Sequence, residues 1–130
     1  MEIKFRDIGA ENIKTDLLVL AVQEKDLEAA PLPALDRRLK GKVRERLQNG
    51  KFTASEGSSL LFPTLGMLPS SHLLIIGLGG AKETDSDSWR KAAARARKEA
   101  ANLGASNIAL FFPDIPEAAA AGAAIVEGAL

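Results

Sequence analysis

Backbone amides are the groups in this chain best placed to do chemistry. Gly77-Leu78-Gly79-Gly80 follows the strongest strand-like run in the sequence, Leu73-Leu74-Ile75-Ile76. Open α/β folds bind ligands at such strand ends, where the amides of a glycine turn can cradle a phosphate. Gly77, Gly79 and Gly80 are therefore the candidate ligand-binding residues. Their spacing departs from the dinucleotide fingerprint: the third glycine would fall at Lys82, and no Gly-Lys-Ser/Thr follows. A tight turn whose glycines allow positive φ or close packing accounts for the same residues with less.

Other polar residues offer weaker chemistry. Asp85 and Asp87, with Ser86 and Ser88, could supply hard-metal oxygens, but capping of the helix that follows explains them more simply. His72 stands beside Ser70 and Ser71, yet adjacency along a chain is not triad geometry. Two predicted helices carry most of the 17 basic residues, Arg37 to Arg46 on the first and Arg90 to Lys98 on the second. From these, Arg37, Arg38, Arg44, Arg90 and Arg97 form a candidate face for nucleic acid or an acidic partner. The competing reading is a solvated helix surface rich in good helix formers.

Composition removes whole classes. The chain has 130 residues, 17 basic and 17 acidic, with 46% apolar residues, one His and no Cys. That length suits one domain. Zero net charge provides no global field to draw in nucleic acid or an anionic membrane, although it averages basic helices against acidic loops. Without cysteine there is no disulfide framework, thiolate metal site or thiol nucleophile. A single histidine excludes the HExxH hydrolases. No apolar run approaches the roughly 20 residues of a bilayer span, and Met1 to Asp7 has no signal-peptide core. The expectation is a cytoplasmic domain without a membrane partner.

The elements that must position these residues follow from periodicity. Ile3 to Asp7 alternates and predicts a half-exposed strand, and Leu17 to Val22 is a continuous apolar run of the kind found in central parallel strands. Gln23 to Glu28 leads through Pro31 and Pro33 as a loop. From Ala34, the spacing of Leu35, Leu39, Val43 and Leu47 predicts one helix ending at Asn49-Gly50. Leu60 to Phe62 and Leu73 to Ile76 predict strands. Asp85 to Asp87 open a helix whose inner face is Trp89, Ala93, Ala96, Ala100 and Leu103, closed by Gly104. Ile108 to Phe112 predicts another strand, and Pro116 opens an alanine-rich helix to Leu130. The order β, β, α, β, β, α, β, α predicts an α/β domain with helices on both faces of a mixed sheet. The last helix is apolar all round, which predicts cover from chain beyond Leu130 or from another subunit.

Taken in order, these segments resemble a known family. Thr15-Asp16-Leu17-Leu18-Val19-Leu20, Leu35-Asp36 with Leu39 and Gly41, and Gly50-Lys51-Phe52 with Gly57 resemble the N-terminal domain of the leucyl aminopeptidases (cytosol aminopeptidase, peptidase family M17). Leu74-Ile75-Ile76-Gly77-Leu78-Gly79, Trp89-Arg90-Lys91-Ala92-Ala93 and Glu127-Gly128-Ala129-Leu130 continue the likeness along nearly the whole chain. The resemblance implies a macro-domain-like three-layer α/β/α sandwich, with residues 1–130 forming a single non-catalytic domain. The family's peptide-cleaving C-terminal domain binds two divalent metals, zinc or manganese, through lysine and carboxylates. Its Asn-Thr-Asp-Ala-Glu-Gly-Arg signature has no counterpart here, so no catalytic or metal residue carries over. A hexamer and the C-terminal catalytic domain are the implied partners, and in some members this domain contributes to DNA binding.

The macro-like fold raises a second class of function, a stand-alone module binding an ADP-ribose-type ligand, or DNA through the basic helices. True macrodomains place an Asn-rich segment after the strand equivalent to Leu17–Val22, where this chain has Gln23-Glu24-Lys25-Asp26. Carboxylates there repel a pyrophosphate. A small carboxylate-based hydrolase ranks last.

Overall fold

An apolar run without alternation needs cover on both faces and both edges, and Leu17–Val22 receives all four. In the computed structural model, which describes residues 2–6, 12, 14–24, 32–49, 52–80, 86–111 and 123–127, this run is β2 and every residue in it is buried. The other strands are β1 (Glu2–Arg6), β3 (Ser59–Pro63), β4 (His72–Gly77), β5 (Asn107–Phe111) and β6 (Ala123–Glu127). They form one sheet in the order β1-β6-β5-β2-β4-β3. β2 pairs in parallel with β4 and β5, while the β1·β6, β5·β6 and β3·β4 pairings are antiparallel.

Strand alternation sends the side chains of β2 and β4 to opposite faces. Leu18, Leu20, Leu73 and Ile75 pack with Leu32, Leu35, Leu39 and Val43 of α1 (Leu32–Arg38), α2 (Lys42–Asn49) and the turn between them. Leu17, Val19, Leu74 and Ile76 pack with Ala92, Ala96 and Ala100 of α3 (Ser86–Leu103). The result is the expected α/β/α sandwich around a mixed sheet.

Three expectations about the helical layers need correction. The single helix from Ala34 to Asn49 is two, separated where Lys40 and Gly41 take φ of 58° and 81°. The apolar stripe crosses the break because both helices lie on the same sheet face. Asp36 closes the joint by accepting the Arg44 backbone N–H at 2.8 Å, capping α2 from the preceding helix. Pro33 belongs to the first turn of α1, where its missing N–H costs nothing, and not to a loop. On α3 the buried stripe is Ala92, Ala96 and Ala100, while Ala93 is half-buried. Gly104 ends the helix as expected: at φ 71° it donates to Ala101, and the Ala105 N–H donates to the Ala100 carbonyl, a Schellman cap.

The largest correction is at the C-terminal end. Ala123–Glu127, read above as helix, is β6, hydrogen-bonded to β1 on one side and β5 on the other. Ala-Ala-Ile-Val is a short apolar run ending in two β-branched residues, and periodicity alone does not separate helix from strand at that length. The two open strand edges decide it. A run that is apolar on both sides suits a strand as well as a helix, so that character does not by itself call for a helix. The rest of the expected helix, at 116–122 and 128–130, lies outside the described residues, as do Asp7, Phe112 and Asp85.

Candidate functional site

The glycine turn sits where the sequence placed it, at the C-terminal ends of the parallel strands β2 and β4. Its amides, however, have intramolecular partners. Gly77 N–H donates to the Ser58 carbonyl, Leu78 N–H to the Val22 carbonyl and Gly79 N–H to the Ala54 carbonyl, each at 2.8 Å. Glu24 N–H in turn donates to the Gly79 carbonyl at 3.2 Å. The segment 54–58 is thus laid across the strand end, where it takes up the Gly77 and Gly79 amides. Ala54 is fully buried and held at φ 61° to make this approach. A Cβ on Gly77 would collide with the Ser55 carbonyl, the Ser58 hydroxyl and the Ala54 backbone, so close backbone packing is what demands glycine here. Gly79 needs its glycine for another reason, a φ of 85°. Gly80 is half-buried at the end of the turn.

Beside this turn lies an open cleft of about 610 Å³, walled by α3 on one side and Glu56-Gly57 on the other, with Ile76 and Gly77 between them. Lys91, Arg95 and Lys98 line it at helical spacing. Lys91 Nζ stands 3.4 Å from Glu56 Oε1, and Arg95 donates to Ser59 Oγ at 3.1 Å while pairing with Glu99 at 3.6 Å. Pairs this exposed contribute about 0–1 kcal/mol each. They nevertheless lower the charge available to an incoming anion, because two of the three cations already face carboxylates. The i, i+4, i+7 spacing was readable in the sequence. Glu56, from a distant loop, was not.

The five candidate arginines do not form one surface. Arg37, Arg38 and Arg44 are exposed on α1 and α2, and Arg90 and Arg97 are exposed on α3 across the sheet. Arg37 and Arg38 occupy the last turn of α1, where cations complement the helix dipole. Arg38 also reaches Asn12 Oδ1 at 3.4 Å. A single nucleic-acid duplex lying on one helical layer would meet only one of the two groups.

At the opposite end of the strands, Asp16 and Asn107 form a clasp that sequence reasoning missed. Asp16 Oδ2 accepts the Ser106 N–H at 2.8 Å, and Asn107 Oδ1 accepts the Asp16 N–H at 2.9 Å and the Thr15 hydroxyl at 3.2 Å. This ties the start of β2 to the start of β5. His72 opens β4 in register with Leu17. Ser70 and Ser71 serve the neighbouring hairpin, their carbonyls accepting the Thr64 hydroxyl. Among the described residues no three His, Asp or Glu side chains gather as a metal site. The carboxylates of Asp16, Asp36 and Glu56 face amides or a lysine instead. The donor set described here does not fit a metal pair.

Comparison with known proteins agrees with this fold. Residues 18–130 match the sequence model described as cytosol aminopeptidase family, N-terminal domain. A probable cytosol aminopeptidase from Sulfurihydrogenibium sp. (strain YO3AOP1) is 34% identical over 110 residues, covering 83% of this chain and 22% of the relative. One from Thermosynechococcus vestitus is 33% identical over 119 residues, covering 88% and 24%. The chain therefore spans about a quarter of the length of these relatives. A tomato leucine aminopeptidase mutant of solved structure superposes with a TM-score of 0.67 at 23% identity, over 84% of this chain and 23% of that one. That likeness concerns the fold.

Proposed function

Because the chain belongs to the cytosol aminopeptidase family, as its N-terminal domain, we propose that it is the non-catalytic assembly and regulatory part of a leucyl-aminopeptidase-like metallopeptidase. The parent enzyme would remove N-terminal residues from peptides in the cytoplasm. Residues 1–130 would form one domain, joined to a C-terminal catalytic domain that carries two divalent ions, zinc or manganese, within a hexamer. The observation that carries this reading is the unbroken family match from residue 18 to residue 130. The described carboxylates support a structural role, since Asp16, Asp36 and Glu56 hold strands, helices and a loop in place. No described helix is long and apolar enough to cross a membrane.

The test is a paired assay. With zinc or manganese added, the 130-residue chain is expected to release nothing from an N-terminal leucine amide. A polypeptide of the relatives' full length is expected to release leucine and to lose that activity to a chelator. Turnover by the short chain, or none by the long one, sinks the proposal. The stand-alone reading finds less support, because the Gly77 and Gly79 amides are already bonded and the arginines are divided between two faces. Calorimetry with ADP-ribose is expected to show no saturable heat.

A further inference from the structure

Residues 57–81 contain no Asp, Glu, Lys or Arg, in a chain that is 26% charged. That stretch builds β3, its hairpin and β4. β3 is the outermost strand, paired with β4 on one side and with no described strand on the other. Open edges ordinarily carry a lysine, an inward charge or a bulge that prevents pairing with another chain. Ser59-Leu60-Leu61-Phe62-Pro63 has only its terminal proline.

Two hydrogen bonds fix which backbone groups face outward. Gly77 N–H donates to the Ser58 carbonyl and Thr64 N–H to the Ser71 carbonyl. In an antiparallel pair these groups alternate along the strand. Ser58, Leu60, Phe62 and Thr64 therefore turn toward β4, and Ser59, Leu61 and Pro63 turn to the edge where no described strand pairs. The outward row offers the N–H groups of Ser59 and Leu61 and the carbonyls of all three residues.

We propose that β3 pairs with β3 of a second copy of this chain, antiparallel about a twofold axis at Leu61, joining two sheets into one. This register overlaps the whole strand. Leu61 exchanges N–H···O=C bonds with its own counterpart, and the Ser59 N–H of each copy meets the Pro63 carbonyl of the other. Every outward donor is met, and the donor that proline lacks would have faced a Ser59 carbonyl, the type of group more easily left to water. A strand that is its own complement meets the requirement of an isologous contact.

The hairpin beyond β3 points the same way. Leu65 is the strongly exposed large apolar side chain among the described residues, at 79%, and it is held at φ 52°. Its loop is firm, because the Thr64 N–H and hydroxyl both donate to the Ser71 carbonyl, at 3.1 and 3.0 Å. The twofold register carries each Leu65 toward the other copy's turn at Gly57, where an added Cβ would find nothing within 4 Å. Leu60 and Leu61, each half-buried in one copy, gain cover at the seam.

The pairing rests on the sheet edge and not on the peptidase assignment, so either can fail alone. Sedimentation equilibrium of the 130-residue chain is expected to show a reversible dimer. Leu61→Pro removes an outward N–H without taking a bond from β4, and is expected to weaken the dimer by about tenfold or more. Leu61→Cys supplies the sole thiol in a chain without cysteine. Mild oxidation should link two copies through it, since Cα atoms across a hydrogen-bonded pair lie about 5.5 Å apart. Asn49→Cys, exposed at the end of α2, should not link. A monomer at every concentration overturns the proposal, as does a dimer that Leu61→Pro leaves intact and Leu61→Cys fails to cross-link.

Discussion

The two helical layers cover the same sheet with side chains of different size. On one face, α1 and α2, of 7 and 8 residues, reach the strands through Leu32, Leu35, Leu39 and Val43. On the other, the 18-residue α3 presents Ala92, Ala96 and Ala100. Small contact residues let a helix axis approach its neighbour, because interaxial distance follows side-chain size. A helix held close to a sheet keeps its flanking side chains close too. Arg95 consequently reaches Ser59 on the edge strand, and Lys91 reaches Glu56. The leucine layer depends on volume that is present, and the alanine layer on volume that is absent.

The comparison breaks most visibly at Leu35, which is fully buried. Leu35→Ala is expected to cost about 2–5 kcal/mol in urea denaturation, and a loss below that range would mean the leucine layer is loosely filled. On the alanine side the sign of the useful change reverses. Ala96→Leu should cost about 1–3 kcal/mol by forcing α3 away from the strands. A neutral result would show spare room and remove the contrast. Gly77→Ala probes the third close approach, that of the 54–58 segment, and should cost a similar about 1–3 kcal/mol. Faster amide exchange at Gly79 would locate that damage at the Ala54 contact. Leu65→Asn relieves a left-handed leucine and is expected to raise stability by about 0.5–1 kcal/mol. Smallest is Lys91→Ala, whose pair with Glu56 is exposed on both sides. A change within about 0.5 kcal/mol is expected, and a larger one would give the cations of α3 a structural role.

The leucine layer was legible in the sequence and the alanine layer only in part, and the reason is contrast. Leu35, Leu39 and Val43 stand out against Arg and Lys, so their inward face could be named even though the helix break between them could not. The break depends on left-handed φ at Lys40 and Gly41, and an unbroken i, i+4 stripe conceals it. Ala92-Ala93-Ala94 offers no contrast at all, so Ala93 was read as inward where Ala92 is, although Ala96, Ala100 and Leu103 were placed correctly. β2, β4 and β5 were readable because runs such as Leu73 to Ile76 leave no polar face for solvent. β6 was not, because Ala123 to Val126 suits either element until the open edges of β1 and β5 are known. At the glycine turn the sequence admitted a phosphate cradle or a tight turn. The Gly77 and Gly79 amides are bonded by Ser58 and Ala54, which carry no local signal that they will meet them.

The pairing of Glu2–Arg6 with Ala123–Glu127 has a consequence for how the chain is made. β1 is the first of the described strands to be made, yet its one described partner in the sheet is the last of them to be synthesised. At about 5–20 residues per second, β1 waits on the order of ten seconds with no strand beside it, and β5 keeps an open edge until β6 arrives. The central β2, β4 and β5 can assemble in that interval. The outer pair closes only once residues 123–127 have emerged, so the first described strand is fixed by the last.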